Sequence, residues 1–293
     1  MNTDYWIYED YFIFKPHFNG SIDEYIDIIS NYSKLIFSNY DNAEMCIKTN
    51  NDYDSNYKKY FEYSKFNQPV MLSHGSCGVF DKLTQLQQLN FGSAFNQPVS
   101  NDGVGAFDKL TQLQQLTFGF CFNQPVMLSH GSCSVFDKLT QLRQLTFGFY
   151  FSQPVDGGVL DKLTQLQQLT FGLCFSQPID SIFDKLTQLE QLTLGFSQPL
   201  NIPSNIKVLK LNYDNIHIIN NLPNSVEELV LGYNFNLELN DLPNSIKIIS
   251  FDANSKYDKK LNNLPKSLEK LYLPEKYDKE IKNINPSCQI MFN

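Results

Sequence analysis

Long hydrophobic runs are missing from this chain of 293 residues. No stretch of about 18 apolar residues occurs, so no transmembrane helix is expected and a membrane is not an expected partner. Concentrated positive charge is missing too. Lys and Arg total 23 against 31 Asp and Glu. The counts are 6 basic against 11 acidic residues over 1–65, 6 against 9 over 66–200, and 11 against 11 over 201–293. Nucleic-acid affinity rests on clustered cations that neutralise phosphates, so no nucleic acid is expected as partner. The opening MNTDYWIYEDYFIFKP lacks the basic segment and small-residue cleavage site of a signal peptide. The expectation is an intracellular, cytoplasmic protein whose six cysteines are thiols. No Gly-rich phosphate loop, G-x-S-x-G elbow or H-E-x-x-H occurs. No catalytic residue and no cofactor is therefore assigned, and the protein is not expected to be an enzyme.

Repetition is what the chain has in abundance. FNQPV starts at Phe66, Phe95 and Phe122, and FSQP at Phe151, Phe175 and Phe196. The motif L-x-x-L-x-[FL] starts at Leu86, Leu113, Leu142, Leu166 and Leu189. It continues in degenerate form at Ile206, Val226, Ile246 and Leu268. The steps are 27, 29, 24, 23, 17, 20, 20 and 22 residues, the period of leucine-rich repeats. Residues 66–92 and 122–148 are nearly identical, as recent duplication of a two-coil unit would leave them.

One unit explains itself. Leu89 and Phe91 alternate with Gln88 and Asn90, the period of a strand with one buried face. Gly92 marks the turn that follows. Phe95 is expected to point back into the coil and Asn96 to bond backbone groups that a tight bend leaves unpaired. Pro98 suits the bend, and Asp108 is expected to cap a helical or 3₁₀ turn. A single coil cannot bury its Leu, Phe and Val residues, but stacked coils bury them together, with strands about 4.8 Å apart. The expected fold is a repeat solenoid. It is a leucine-rich-repeat-like stack of about nine or more coils with one curved parallel β-sheet, capped at both ends.

These residues resemble the FNIP repeat, a leucine-rich-repeat relative of social amoebae and giant DNA viruses. Leu116-Thr117-Phe118-Gly119 followed by Phe122-Asn123-Gln124-Pro125-Val126 carries the resemblance. So do the returns LPNSVEEL (222–229), LPNSIKII (242–249) and LPKSLEKL (264–271). Gln replaces the Ile of FNIP throughout, Ser replaces Asn at Ser152, Ser176 and Ser197, and after Phe196 only Phe235-Asn236 is left of the box. Some members carry an F-box and so resemble ubiquitin-ligase substrate receptors. Residues 1–65 show neither its Leu-Pro opening nor its long helical pattern, which leaves a ubiquitin-ligase link doubtful. If the source is viral, the implied location is the host-cell cytoplasm.

A solenoid needs covered ends. Residues 1–60 are expected to form an N-terminal cap. Ile22, Ile26 and Ile29 of 21–37 have helical spacing, with Ser21 as N-cap, and one or two degenerate coils follow. Residues 60–67 are expected to form the strand entering the first box. The solenoid then spans 61–275, with a C-terminal cap over 276–293.

Other groupings have plain readings. His74 with Cys77, and His130 with Cys133, share an H-x-x-C spacing that zinc could use. The copies are two coils apart, roughly 9–10 Å at the sheet spacing, too far for one tetrahedral site; no metal is assigned. The same separation argues against a Cys121–Cys174 disulfide. Asp81, Asp108, Asp137, Asp161 and Asp184 form a column beside Lys82, Lys109, Lys138, Lys162 and Lys185, which reads as structural. The candidate partner-binding residues are those facing outward from the strands: Gln88, Asn90, Gln115, Thr117, Gln144, Thr146, Gln168, Thr170, Gln191 and Thr193. Two readings of them stay open, a surface for an unknown protein and a polar ladder that merely stabilises the sheet. Loops 70–79, 99–106 and 126–135 are expected side by side as a mobile ridge. The leading functional reading is a non-enzymatic protein-binding scaffold. The alternatives are a solenoid hydrolase acting on a polysaccharide and a product of repeat expansion with no specific partner.

Overall fold

The computed structural model describes residues 4–52, 55–71, 78–128, 133–179 and 181–293. These fall into two compact units. One runs to Leu166 and adds Gln177–Leu186; the other comprises Gln167–Ser176 and Thr187–Asn293. Each is a leucine-rich-repeat-like stack of coils that contribute one short strand apiece to a sheet. No helix among the described residues is long and apolar enough to cross a membrane.

The first unit holds β1 (Tyr5–Tyr8), β2 (Tyr11–Phe14), β3 (Lys34–Phe37), β4 (Gln88–Asn90), β5 (Gln115–Thr117) and β6 (Gln144–Thr146), adjacent in that order. β1 pairs antiparallel to β2, and every later pair is parallel. The second unit holds β7 (Gln168–Phe171), β8 (Gln191–Leu194), β9 (Val208–Leu211), β10 (Glu228–Leu231), β11 (Ile248–Phe251), β12 (Lys270–Leu273) and β13 (Gln289–Phe292), all parallel. Residues 276–293 thus carry a further strand of the stack.

Two columns of phenylalanine run through the first unit. In one, Phe37, Phe91, Phe118 and Phe147 stack at 5.9, 5.8 and 5.8 Å. In the other, Phe18, Phe66, Phe95, Phe122 and Phe151 stack at 6.0, 5.9, 6.0 and 6.0 Å. Within each coil the strand ring meets the box ring, for example Phe118 and Phe122 at 4.0 Å. All are buried. The box Phe does point inward, as its spacing from the strand implies.

The box Asn has a sharper role than bonding its own bend. Its Oδ1 accepts the backbone N–H of the equivalent residue one coil on. Asn67 donates to Asn19 (2.9 Å), Asn96 to Asn67 (2.8 Å), Asn123 to Asn96 (2.9 Å) and Ser152 to Asn123 (3.0 Å). The Gln that replaces the family's Ile extends this ladder. Gln124 Nε2 donates to the carbonyl and the side-chain oxygen of Asn96, both at 3.0 Å, and Gln153 repeats the contact on Asn123. The ladder starts at Phe18-Asn19, a box copy outside the six recognised in the sequence. The glycines that follow β5 and β6 are required by proximity. A Cβ at Gly119 would overlap the carbonyl of Gly92, and one at Gly148 the carbonyl of Gly119.

Several expectations are corrected. The helical spacing from Ser21 yields only a 3₁₀ turn (Asp23–Tyr25) and α1 (Ile26–Ile29), because residues 34–37 are claimed by the sheet as β3. Ser21 Oγ accepts the Asp23 N–H. Residues 60–67 form no strand; Phe61 makes an isolated antiparallel bridge to Tyr40. Asp108 caps no helix. Its carboxylate accepts the N–H of Gly105, three residues earlier, as Asp81 does from Gly78. Burial pushes the Asp108 carboxyl above its ordinary value, and the Asp81 charge adds to the shift. Loop 99–106 is a small antiparallel hairpin, Ser100–Asn101 against Val104–Gly105. Its turn residues Asp102 and Gly103 both have positive φ, which Asp-Gly tolerates. Its base lies between its neighbours, with Gly78 against Ala106 and Gly105 against Val135. Residues 72–77 and 129–132 of the other two loops, with His74, Cys77 and His130, lie outside the described residues.

In the second unit the box does not dissolve but changes residue type. Tyr257 stacks on Phe235 at 6.4 Å and on Tyr277 at 6.0 Å. The acceptor ladder becomes Asp214, Asn236 and Asp258: Asn236 N–H donates to Asp214 and Asp258 N–H to Asn236. Just before the strands, Glu190 pairs with Lys207 (2.5 Å) and Glu227 with Lys247 (2.7 Å). Lys247 bonds to Glu227 and holds its carboxyl below the ordinary value.

Phe122→Ala is expected to destabilise the protein by about 3–5 kcal/mol, the cost of emptying a stacked aromatic site. Asn123→Ala is expected to cost about 1–3 kcal/mol by orphaning the Ser152 N–H. Unchanged urea midpoints would contradict both assignments. The described cysteines, Cys46, Cys121, Cys133, Cys174 and Cys288, are free thiols. Burial pushes Cys46 up to about 12. Thiol titration without reductant should therefore count six groups after denaturation. In the native protein Cys46 should react far more slowly than exposed Cys133 and Cys174.

Candidate functional site

Strand alternation decides which side chains face outward. In the first unit, register pairs Gln88 with Gln115 and Gln144, and Asn90 with Thr117 and Thr146. In the second, Gln168 pairs with Gln191 and Thr170 with Thr193. The ten residues therefore form two sets, one per unit. Between flanking core leucines such as Leu116 and Leu145, the outward Gln115, Thr117, Gln144 and Thr146 are half-buried. Gln168, Thr170 and Thr193 are also half-buried, and Gln191 is exposed. From β9 onward the same positions carry Val208, Lys210, Glu228, Val230, Ile248, Ser250, Lys270 and Tyr272.

Asn90 and Gln88 stand apart. Asn90 is 1% exposed. Its Oδ1 accepts from Asn51 Nδ2 at 3.0 Å, and its own amide donates to the Asn50 carbonyl at 3.2 Å. It therefore belongs to a buried polar knot. Asn51 also donates to the Phe37 carbonyl and accepts the Asn39 N–H at 2.6 Å, while Asn39 Nδ2 donates to the Asn51 carbonyl. Asn39 Oδ1 accepts from the N–H groups of Ser64 and Ser93 and from Ser93 Oγ. The knot ties Asn39, Asn50 and Asn51 to the first coils. A full set of partners is what makes such buried amides tolerable.

The insertion that the knot fixes carries α2 (Ala43–Lys48), whose Asn42 N-cap accepts the Met45 N–H. Cys46 of α2 forms a second small core with Ile13, Ile36 and Tyr40, against which Trp6, Tyr11 and Ile47 pack. Ile13 and Ile36 belong to the register positions that Asn90 and Thr117 occupy further along. The outward face is thus covered at its first strands and open beyond β4. At the step lies a groove of about 200 Å³, lined by Tyr11, Lys34, Ile47, Asn50, Gln88 and Gln115 among others. The sequence signal for this wall was available but weak. It is the length of residues 38–62 between a strand-like KLIF and the next box.

Among the described residues, nothing hydrogen-bonds the side chains of Gln115, Thr117, Gln144 or Thr146, unlike those of Asn90, Asn96 and Asn123. Nor does any cluster of three or more His, Cys, Asp and Glu among the described residues hold a metal-like arrangement. Asp81 and Asp108, in adjacent coils, each accept a glycine N–H.

The description of the FNIP repeat matches residues 196–234 and 233–276. Residues 196–276 of this chain carry FNIP repeats. The matched FNIP coils are those with a Leu-Pro return and steps near 20 residues; the FNQP-rich coils return through Asp-Lys and lie outside the match. No curated protein sequence matches the chain. Among solved structures it is similar to CroV588, a circular leucine-rich-repeat protein of a giant virus. Identity is 21% and the TM-score 0.52, over 99% of this chain and 51% of that one. The chain thus spans about half the length of that relative, and the likeness shows the fold alone. It is also similar to an internalin, InlF, from Listeria monocytogenes (16% identity, TM-score 0.46, 96% of this chain and 86% of that one). A third similar structure is the functional domain of InlJ from Listeria monocytogenes (13%, 0.40, 91% and 59%).

The knot and the open face are separable. Asn51→Ala is expected to lower stability by about 1–3 kcal/mol, because it strands several buried polar groups. Thr117→Ala is expected to stay within about 0.5 kcal/mol, as ordinary surface changes do. Equal shifts in the urea midpoint would mean that the knot does not hold the wall.

Proposed function

We propose that this FNIP-repeat protein is a non-enzymatic, intracellular scaffold that binds another protein on the outward face of its first unit. The observation that carries the reading is the hydrogen-bonding state of that face. Gln115, Thr117, Gln144 and Thr146 stand in register, half-buried, with amides and hydroxyls that no hydrogen bond among the described residues uses. A polar ladder that served only the sheet would join its own amides. Repeat proteins offer such rigid rows of shallow side chains to partners.

The test compares partners captured from native cells by the wild-type chain and by a Gln144→Arg, Thr146→Arg variant. Both substitutions lie on the open face and away from the knot. The expected outcome is a reproducible partner whose capture falls at least about tenfold with the variant, for like sites buried at interface centres. Equal capture by both proteins, or no reproducible partner, would overturn the reading and leave a product of repeat expansion as the better account.

A further inference from the structure

We propose that the groove between α2 and the Gln/Thr face receives an acidic side chain from an extended peptide segment of the partner. The proposal rests on the sheet-face reading above and names the chemistry of one anchor point within it.

Three features of the groove point to that occupant. Its volume of about 200 Å³ suits one or two side chains, not a helix. Among the described residues, its one charged lining residue is Lys34, whose Nζ lies 4.3 Å from the centre of the Tyr11 ring. Among the described residues no carboxylate lies within ion-pair distance of Lys34. Its acidic neighbour Asp10 is engaged by the N–H and Oγ of Ser33. Those bonds, more than the Lys34 charge, hold the Asp10 carboxyl below its ordinary value.

The remaining lining groups complete the fit. The Gln88 and Gln115 side chains bring amides, which can donate to a carboxylate or pair with peptide groups. Tyr11 and Ile47 offer apolar surface to the methylenes of a Glu. A carboxylate here would combine a charge-assisted bond from Lys34 with amide donors, in a recess where water is partly excluded. The wall is rigid, because the segment after α2 is tied by the buried Asn39–Asn51–Asn90 knot. The groove therefore needs no ordering when a side chain enters.

A random peptide library displayed on phage and panned on the full chain supplies the probe. Enriched peptides are synthesised and their affinities measured by fluorescence anisotropy. The measurements use wild type, Lys34→Gln, Lys34→Glu and the Gln144→Arg, Thr146→Arg variant. The expected result is one fixed Asp or Glu position among the enriched peptides. Lys34→Glu should weaken binding at least about tenfold, and Asp→Asn or Glu→Gln in the peptide should cost no more once Lys34 is replaced. Unchanged thermal midpoints for Lys34→Gln separate this effect from misfolding. The proposal is overturned if no acidic position is enriched, if Lys34→Glu leaves affinity unchanged, or if no peptide is enriched. Peptides sensitive to Gln144 and Thr146 but indifferent to Lys34 would sink the groove and leave the sheet face standing. Peptides indifferent to all three would sink both.

Discussion

Each coil of the first unit leaves one backbone N–H at its corner beyond the reach of the strand ladder. The Asn of the preceding coil satisfies it. That bond, repeated from Asn19 to Ser152, is the constraint on which the rest of the unit depends. These corners are part-buried at Asn96, Asn123 and Ser152, where an unpaired N–H costs up to about 1–3 kcal/mol, and every further coil would add another. The neighbouring Phe sits one residue before the Asn, so the same placement drives its ring onto the ring below. The glycine closes the geometry by letting consecutive corners approach to backbone contact. Phe, Asn and Gly are thus three parts of one instruction: this coil fits only on its own kind.

Stacking is secured inside the coils and at their corners, away from the outward strand positions. The protein treats them in two ways. Over the first strands it covers them, placing Ile13 and Ile36 beneath α2 and ending the cover with a polar knot at Asn90. Beyond that it leaves Gln and Thr open. The groove exists because those two treatments meet between β3 and β5.

The second unit shows which parts of the instruction are chemical and which are merely spelled. Tyr257 and Tyr277 keep the aromatic column, and Asp214 and Asp258 join Asn236 in the acceptor ladder. What is kept is a flat ring and a short side chain with an oxygen at fixed reach. Opposite charges then meet on adjacent coils, as in Glu190–Lys207 and Glu227–Lys247. These pairs are exposed and add little stability, but a one-coil shift would set like charges together.

Periodicity alone determined the coil stack, its inward Leu and Phe residues and the outward Gln and Thr rows. Burial at a two-residue period is a local property that each unit states many times over. The box Phe was legible for the same reason. The direction of the Asn bond was not, because its partner lies 27–29 residues away and the residue type does not say which coil it serves. Ser21–Phe37 misled because helical spacing of Ile22, Ile26 and Ile29 is a local preference, whereas residues 34–37 gain more by pairing with β2 and β4. Asn90 reads in sequence as one more outward residue of a strand. Only the tertiary placement of Asn50 and Asn51, some 40 residues earlier, made it a buried member of a knot and put a wall beside the open face. That decision belongs to an unrepeated insertion, and a segment that occurs once has no period from which its contacts could be read.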